Sequence, residues 1–436
     1  METYLHDALF ILFQLCFIVQ LYYLVSRHTR LAGHKPAEGP PPRVLIPISV
    51  IISARNEAHN LEENLPSILE QNYPDFEVIV INDCSFDTSD EVLDTMQKKY
   101  AHLKVVTITE HDRFKTGKKF ALTLEENLPS ILEQNYPDFE VIVINDCSFD
   151  TSDEVLDTMQ KKYAHLKVVT ITEHDRFKTG KKFALTLGIK ASKNEHLLFT
   201  DADCKPASEN WISRMAANFA SDVQIVLGYS PYYKKGGFIN AFTRFETIKT
   251  ATNYLSGALT GDPYMGIGRN LAYTKTLFFS AKGFASHMHV ISGDDDLFVN
   301  QHATPDNTVV ELSPESFMFT EAKTTFKSWF KQKKRHMGVG KLYKNQHRRM
   351  LSFDAVSGFI FYILLILFLI LGYEPLLALG LCVFRLILQM AIYNRIFKKL
   401  NGKDLWWYLP FFDLLYYTYL NVFGLIGTFL KTTQWK

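Results

Sequence analysis

Two aspartates one residue apart, Asp201 and Asp203 in TDADC, can point the same way from a strand end and hold a hard divalent cation. Mg2+ and Mn2+ take oxygen ligands and bridge protein carboxylates to diphosphate. Such an ion neutralises charge on a departing diphosphate. D-x-D is also a frequent solvated turn, so the pair needs company. Ser292-Gly293-Asp294-Asp295-Asp296 sets three carboxylates side by side. Like charges that close raise one another's proton affinity, and a loop gains nothing structurally from them. A general base or a second metal contact is expected there. Gln332-Lys333-Lys334-Arg335-His336 follows, in a stretch without an acidic residue between Glu321 and Asp354. It offers donors to a diphosphate or an acceptor, or a basic face to anionic lipid.

Two weaker features lie between these. His287 and His289 form an H-x-H, but with no third ligand at a defined spacing they read as ordinary polar contacts on a strand. Gly266 and Gly268 in GIGRNLAY suit close backbone approach to a substrate, or a simple tight turn.

The elements that must position these groups are apolar runs ending in polar tips: VIISARNE, VIVINDCS and LLFTDADC. Continuous Val/Ile/Leu runs between helical stretches indicate buried parallel strands of an α/β sheet. Ligands of such sheets bind beyond the carboxyl ends of the strands. A single acidic tip is often only a helix cap, and Asp87, Thr88 or Ser89 before EVLDTM suits that role. Three tips together predict one crevice.

One phrase occurs twice. Residues Leu61–Thr123 recur as Leu124–Thr186 at all 63 positions. Solenoid units stack in threes or more and diverge in sequence. Neither copy contains the opening strand IPISVIISA or the TDADC segment. The expectation is therefore one domain carrying an in-frame duplication.

A net charge of +1 gives no global hint of nucleic acid. Apolar residues gather at the two ends. Ala8–Val25 carries no formal charge and has about the length needed to cross a hydrocarbon core of roughly 30 Å. It lacks the basic start of a cleaved signal and is followed by Arg27, Arg30, Lys35 and Arg43, which reads as a retained anchor with that side in the cytoplasm. Ala355–Gly372, Pro375–Tyr393 and Trp407–Leu430 are further apolar runs. Arg385 and Gln389 interrupt the second, Pro410 and Asp413 the third, so both suit interfacial or re-entrant segments unless the charges are partnered. Arg395, Lys398, Lys399 and Lys403 between them should also face the cytoplasm. The five cysteines show no CxxC knuckle or pairing pattern, in keeping with a reducing compartment. This gives an anchor over 1–27, a catalytic domain over 44–350 and membrane helices over 354–430, in a multi-pass protein of the cell (inner) membrane.

The ordered series SARNE, NDCS, GKKFAL, DAD, GDDD and QKKRH resembles the membrane-bound family 2 glycosyltransferases with the GT-A fold, from about Val44 to Lys344. The resemblance implies a mostly parallel, Rossmann-like sheet and inverting transfer from a nucleoside-diphosphate-sugar to a lipid-linked or glycan acceptor. It implies donor contacts at Ala54, Arg55, Glu57, Asp83 or Asp146, with Lys181 beside the donor. Asp201 and Asp203 would bind Mg2+ or Mn2+ and the donor sugar. Asp295, then Asp294, would be the base. Gln332 and Arg335 match the family's Q-x-x-R-W, but His336 replaces its Trp, which weakens the case for a processive polymer channel.

Surplus residues are tolerated best at exposed loops. Looping out after Asn60 would make Asp146 the nucleotide contact. Looping out at HDRFKTG, after LKVVTI, would keep Asp83 and leave Lys181 and Lys182 beside the donor. LKVVTI lies towards the edge of the family's sheet, which favours Asp83. A nucleotidyltransferase would share the carboxylate-bound metal, but the acidic loop followed by Q-x-x-R argues against it. An inactive membrane scaffold is the non-enzymatic alternative.

Overall fold

The computed structural model describes residues 2–39, 46–83, 85–108, 141–146, 152–163, 166–171, 180–220, 222–288, 290, 292–337 and 339–429. Its strands are Ile48–Ala54 (β1), Phe76–Asp83 (β2), Leu103–Ile108 (β3), Val141–Asp146 (β4), Leu166–Ile171 (β5), His196–Asp201 (β6), Cys204–Pro206 (β7), Ile225–Leu227 (β8), Leu271–Thr274 (β9), Thr308–Val310 (β10) and Met318–Thr320 (β11). Seven of them form one sheet in the order β10-β8-β9-β6-β1-β2-β3. The block β6-β1-β2-β3 is parallel, whereas β9 runs antiparallel to β6 and β8. This is the expected GT-A-like, mostly parallel sheet.

Both faces are covered, which is why β1 and β2 are apolar almost throughout. Ile51, Ile79 and Ile81 pack on one face with Ala184 and Ile189 of the helix Gly180–Ala191. Val50, Ile52, Val78 and Val80 pack on the other with Leu61 and Leu65 of Ala58–Leu69 and with Trp211. Gly188 sets the closest approach: a Cβ there would lie 2.6 Å from Ile81 Cδ1 and 2.9 Å from Ile51 Cγ2.

The two identical copies have different fates. The first supplies β2, the helix Ser89–Lys99 and β3 to the main sheet. Among the described residues, β4 and β5 of the second copy pair only with each other, with the helix Ser152–Lys162 between them in sequence. The end of the second copy then returns as Gly180–Ala191.

Among the described residues, three helices are long and apolar enough to cross a membrane: Tyr4–Gly33, Asn345–Leu371 and Pro375–Lys399. The first passes through a π-helical stretch, Tyr23–His28. Three C-terminal spans are expected from the sequence; two meet that description. The third expected segment forms the helix Leu409–Phe429. The second segment is one continuous helix rather than a re-entrant one, because its charge is partnered. Arg385 Nη2 lies 2.9 Å from Asp413 Oδ2, while Lys249 Nζ approaches Asp413 Oδ1 at 3.0 Å. Gln389 Nε2 donates to Asp413 Oδ1 at 2.7 Å.

Candidate active site

β6, β1 and β2 lie side by side in parallel, so their carboxyl ends open on one crevice. Ser53 stands opposite Asp201 across one ladder, and Ala54 opposite Asn82 across the other. Asp83 ends β2 and is buried. Asp146 ends β4 in the separate two-stranded sheet, and its side chain lies outside the described residues.

The turns after β1 and β2 are laced together by the phrase NDCSFD. The Asn56 N–H donates to Ser85 Oγ at 2.9 Å, and the Phe86 N–H donates to Asn56 Oδ1 at 2.7 Å. Asn56 sits at φ 54°, a left-handed conformation that asparagine tolerates. Asp87 accepts from the Ala58 N–H at 3.0 Å and from the Ser89 N–H at 3.1 Å. It thus serves the start of the neighbouring helix as well as its own. Partial burial opposes ionisation of Asp87, but these N–H groups and the Ser89 hydroxyl hold its carboxyl below the usual range. Arg55 is half-buried beside this turn, and Glu57 accepts from Asn60 Nδ2 at 2.5 Å.

Opposite, the first turn of Gly180–Ala191 sends two lysines in different directions. Lys181 Nζ lies 3.0 Å from Asp201 Oδ1 and 3.0 Å from Asp294 Oδ2. Burial works against its charge, yet Asp201, Asp294 and Asp295 outweigh it and hold the ammonium well above its ordinary pKa. Lys182 is buried and points to backbone instead of the crevice. Its Nζ donates to the carbonyls of His287 at 2.7 Å, Val290 at 3.0 Å and Ser292 at 3.0 Å. The expectation that both lysines flank the donor needs correction: Lys182 pins the loop that delivers the acidic triplet.

Each aspartate of that triplet has its own setting. Asp294 is ion-paired with Lys181, which overcomes burial and lowers its pKa. Asp295 caps the helix Asp296–His302, taking the Asp296 N–H at 2.8 Å on Oδ1 and the Gly268 N–H at 2.7 Å on Oδ2. Burial and Asp294 still raise its proton affinity. Asp296 turns away, accepting from the Tyr343 hydroxyl at 2.8 Å, and burial with Asp295 pushes it up to about 8. Gly268 explains part of the geometry, since a Cβ there would stand 3.2 Å from Asp295 Oδ2. Its close approach is to the carboxylate. Lys181, Asp201, Gly268, Asp294 and Asp295 line one cavity together with Tyr273.

Asp203 is raised by burial first and by Asp201 second, with Arg269 opposing. Arg269 stacks 4.7 Å over the Tyr232 ring and reaches both D-x-D carboxylates electrostatically. The glycines of GIGRNLAY are expected from the sequence and this arginine is not, although a lone cation in an apolar run is its signal. Tyr343 had no comparable signal. Among the described residues, no three His, Cys, Asp or Glu side chains are placed to hold a metal ion. Two oxygen donors that repel each other suit a cation shared with diphosphate oxygens.

Gln332, Arg335 and His336 lie on the helix Phe326–Met337, with the side chains of Arg335 and His336 outside the described residues. Gln332 Oε1 is buried without a hydrogen-bond partner among the described residues, and the neighbouring Lys333 ion-pairs with Glu246. His287 lies in a 3-10 turn rather than on a strand, beside the Ser286 hydroxyl at 2.9 Å; His289 falls outside the described residues.

The family model described as glycosyl transferase family 2 matches residues 49–123 and again 118–284, together more than half of the chain. The chain belongs to glycosyl transferase family 2. This glycosyltransferase is 24% identical over 226 residues to the probable glycosyltransferase YdaM of Bacillus subtilis, covering 49% of the chain and 51% of that protein. It is 35% identical over 152 residues to the poly-beta-1,6-N-acetyl-D-glucosamine synthase of Staphylococcus epidermidis, covering 32% of the chain and 35% of the synthase. The glycosyltransferase thus spans about half the length of the first of these curated relatives and about a third of the second. Its fold is similar to that of the mannosyltransferase PcManGT from Pyrobaculum calidifontis, solved with GDP-Man and Mn2+. The TM-score is 0.52 at 15% identity, covering 97% of this chain and 99% of that one.

Proposed function

We propose that this glycosyltransferase carries out a metal-dependent, inverting transfer of a sugar from a nucleoside diphosphate to a lipid-linked or glycan acceptor at a membrane. The observation that carries the reading is Lys181, which holds the D-x-D carboxylate Asp201 and the acidic-loop carboxylate Asp294 at 3.0 Å each. It brings the donor end and the base end of the reaction into one crevice.

Asp83, with Ala54, Arg55 and Glu57, receives the nucleotide at the strand tips. Asp201 and Asp203 would hold Mg2+ or Mn2+, which supplies positive charge to the departing diphosphate. Asp295 takes the acceptor hydroxyl proton as that oxygen bonds to the anomeric carbon. The bond from this carbon to the diphosphate oxygen breaks on the opposite face, and its electron pair leaves with the nucleoside diphosphate. The two N–H donors on Asp295 fix its carboxylate, and Lys181 offsets the charge of Asp294 beside it. A base so placed contributes about 10²–10⁴-fold.

Support for a nucleotide-sugar donor comes from the mannosyltransferase held with GDP-Man and Mn2+, and support for a glycan acceptor from the polysaccharide synthase relative. The three apolar helices and the basic residues flanking them support a membrane location with the sheet domain in the cytoplasm. Purified protein should release nucleoside diphosphate from one of the UDP-, GDP- or dTDP-sugars, with Mg2+ or Mn2+ present, and transfer the sugar with inverted configuration. Inorganic diphosphate as the product would replace this reading with nucleotidyl transfer.

A further inference from the structure

The second copy of the repeat is left over by the catalytic reading, and its sequence leaves it an alternative place in the fold. The first copy contributes β2, the helix Ser89–Lys99 and β3, and this unit lies at one end of the seven-stranded order. β1 contacts it along one ladder only, Ile48–Ala54 against Phe76–Asn82. Replacing it leaves the ladders between β1, β6, β9, β8 and β10 intact.

Residues 139–171 repeat residues 76–108 without a change. The second copy has also formed the same parallel pair in the same register: Val141 opposite Leu166 through Asp146 opposite Ile171, as Val78 is opposite Leu103 through Asp83 opposite Ile108. Its helix Ser152–Lys162 matches Ser89–Lys99. Every contact that the first unit makes with β1 and with Gly180–Ala191 is therefore available, atom for atom, to the second.

Only the path of the connections differs. With the first unit docked, the surplus chain falls in sequence between Ile108 and Gly180. With the second docked, it is looped out after Leu69, where the helix Ala58–Leu69 ends at the exposed Glu70. The surplus is the same 63 residues in both cases. Loop-closure entropy depends on length, and only logarithmically. It gives neither arrangement an advantage.

We propose that the two copies exchange as the edge of the catalytic sheet, so that Asp83 and Asp146 are alternative donor-nucleotide contacts in one population of molecules. This rests on the proposed role of the β2-end aspartate, and the tests separate the two. Equal loops predict comparable populations, so Asp83→Asn and Asp146→Asn should each retain about half of the turnover, while the double variant loses it. Either single variant falling to the level of the double would overturn the exchange. Deleting residues 61–123 leaves one copy, and Asp146→Asn is then placed in that shortened chain, where it is the single aspartate of this kind. Full activity there would remove the donor role of this aspartate while leaving the exchange to a structural readout. That readout is disulfide trapping across the β1 ladder, where Ser49 stands opposite Glu77. Neighbouring parallel strands lie about 4.8 Å apart, within disulfide reach. Ser49→Cys paired with Glu77→Cys should cross-link, and Ser49→Cys paired with Glu140→Cys should cross-link to a similar extent under mild oxidation. Cross-linking of the first pair alone would overturn the exchange whatever the activities show.

Discussion

Lys181 Nζ lies 3.0 Å from Asp294 Oδ2, joining the first turn of a helix on one side of the crevice to the acidic loop on the other. The same ammonium holds Asp201. One cation thus sets the separation between the carboxylates assigned to the metal and those assigned to proton transfer.

Asp203→Asn keeps the side-chain shape and removes a charge that burial and Asp201 already make costly. Turnover should fall by about 10²–10³-fold, with the melting temperature held or raised because a like-charge repulsion has gone. Titration with Mn2+ or Mg2+ should no longer rescue activity stripped by chelator. Undiminished turnover in this variant would end the metal assignment.

Asp295→Asn should lower kcat by about 10²–10⁴-fold while donor affinity stays within a few-fold, since a base acts on the acceptor. Calorimetric titration with the donor nucleotide checks this. If donor binding disappears instead, Asp295 is a binding residue and Asp294 becomes the base to test.

Lys182 predicts a pH effect with opposite signs in two readouts. Burial pushes its pKa down to about 8, with Asp294, Asp296 and Asp295 opposing, while His287 beside it is pushed down to about 4 and stays neutral. The ammonium that grips three loop carbonyls is present below that value and is lost as pH rises through it. Activity should therefore show an alkaline fall near pH 8. In the unfolded chain the lysine keeps its proton to a higher pH, so its contribution to stability rises with pH over the same window. Lys182→Arg, which stays charged, should move the alkaline fall upward, and Lys182→Met should lower kcat by up to about 10²-fold below pH 8 and abolish the alkaline fall. An unchanged pH profile in Lys182→Arg would remove the lysine from loop positioning.

Arg385 and Asp413 are buried partners from two C-terminal helices, with Lys249 on the same carboxylate. Breaking a buried pair leaves an uncompensated charge, at a cost of about 3–5 kcal/mol. Arg385→Leu should lower the unfolding temperature of the detergent-solubilised protein substantially, and Arg385→Lys should lower it less. A shift within error for Arg385→Leu would show that Lys249, Gln389 and Tyr362, whose hydroxyl donates to Asp413 Oδ2 at 2.8 Å, suffice to hold Asp413.

The strands and the acidic groups were legible in the sequence because both are local. Apolar runs that must be buried on two faces read as parallel strands, and D-x-D or D-D-D places carboxylates together whatever surrounds them. The sequence by itself also determined that the 63-residue phrase is doubled and that the ends of the chain are apolar. Tertiary structure alone decided what lies across from each group. Arg269 reaches the D-x-D pair, and Tyr343 reaches Asp296, through packing between elements distant in the chain. Lys181 and Lys182 are adjacent lysines whose opposite duties follow from the roughly 100° turn between successive helix positions. Local preference does not choose which copy lies in the sheet, because identical letters carry identical preferences, but the edge position of LKVVTI favours the first copy, and the first copy supplies β2 and β3. Only the connections and the edge position of β2 and β3 distinguish the two.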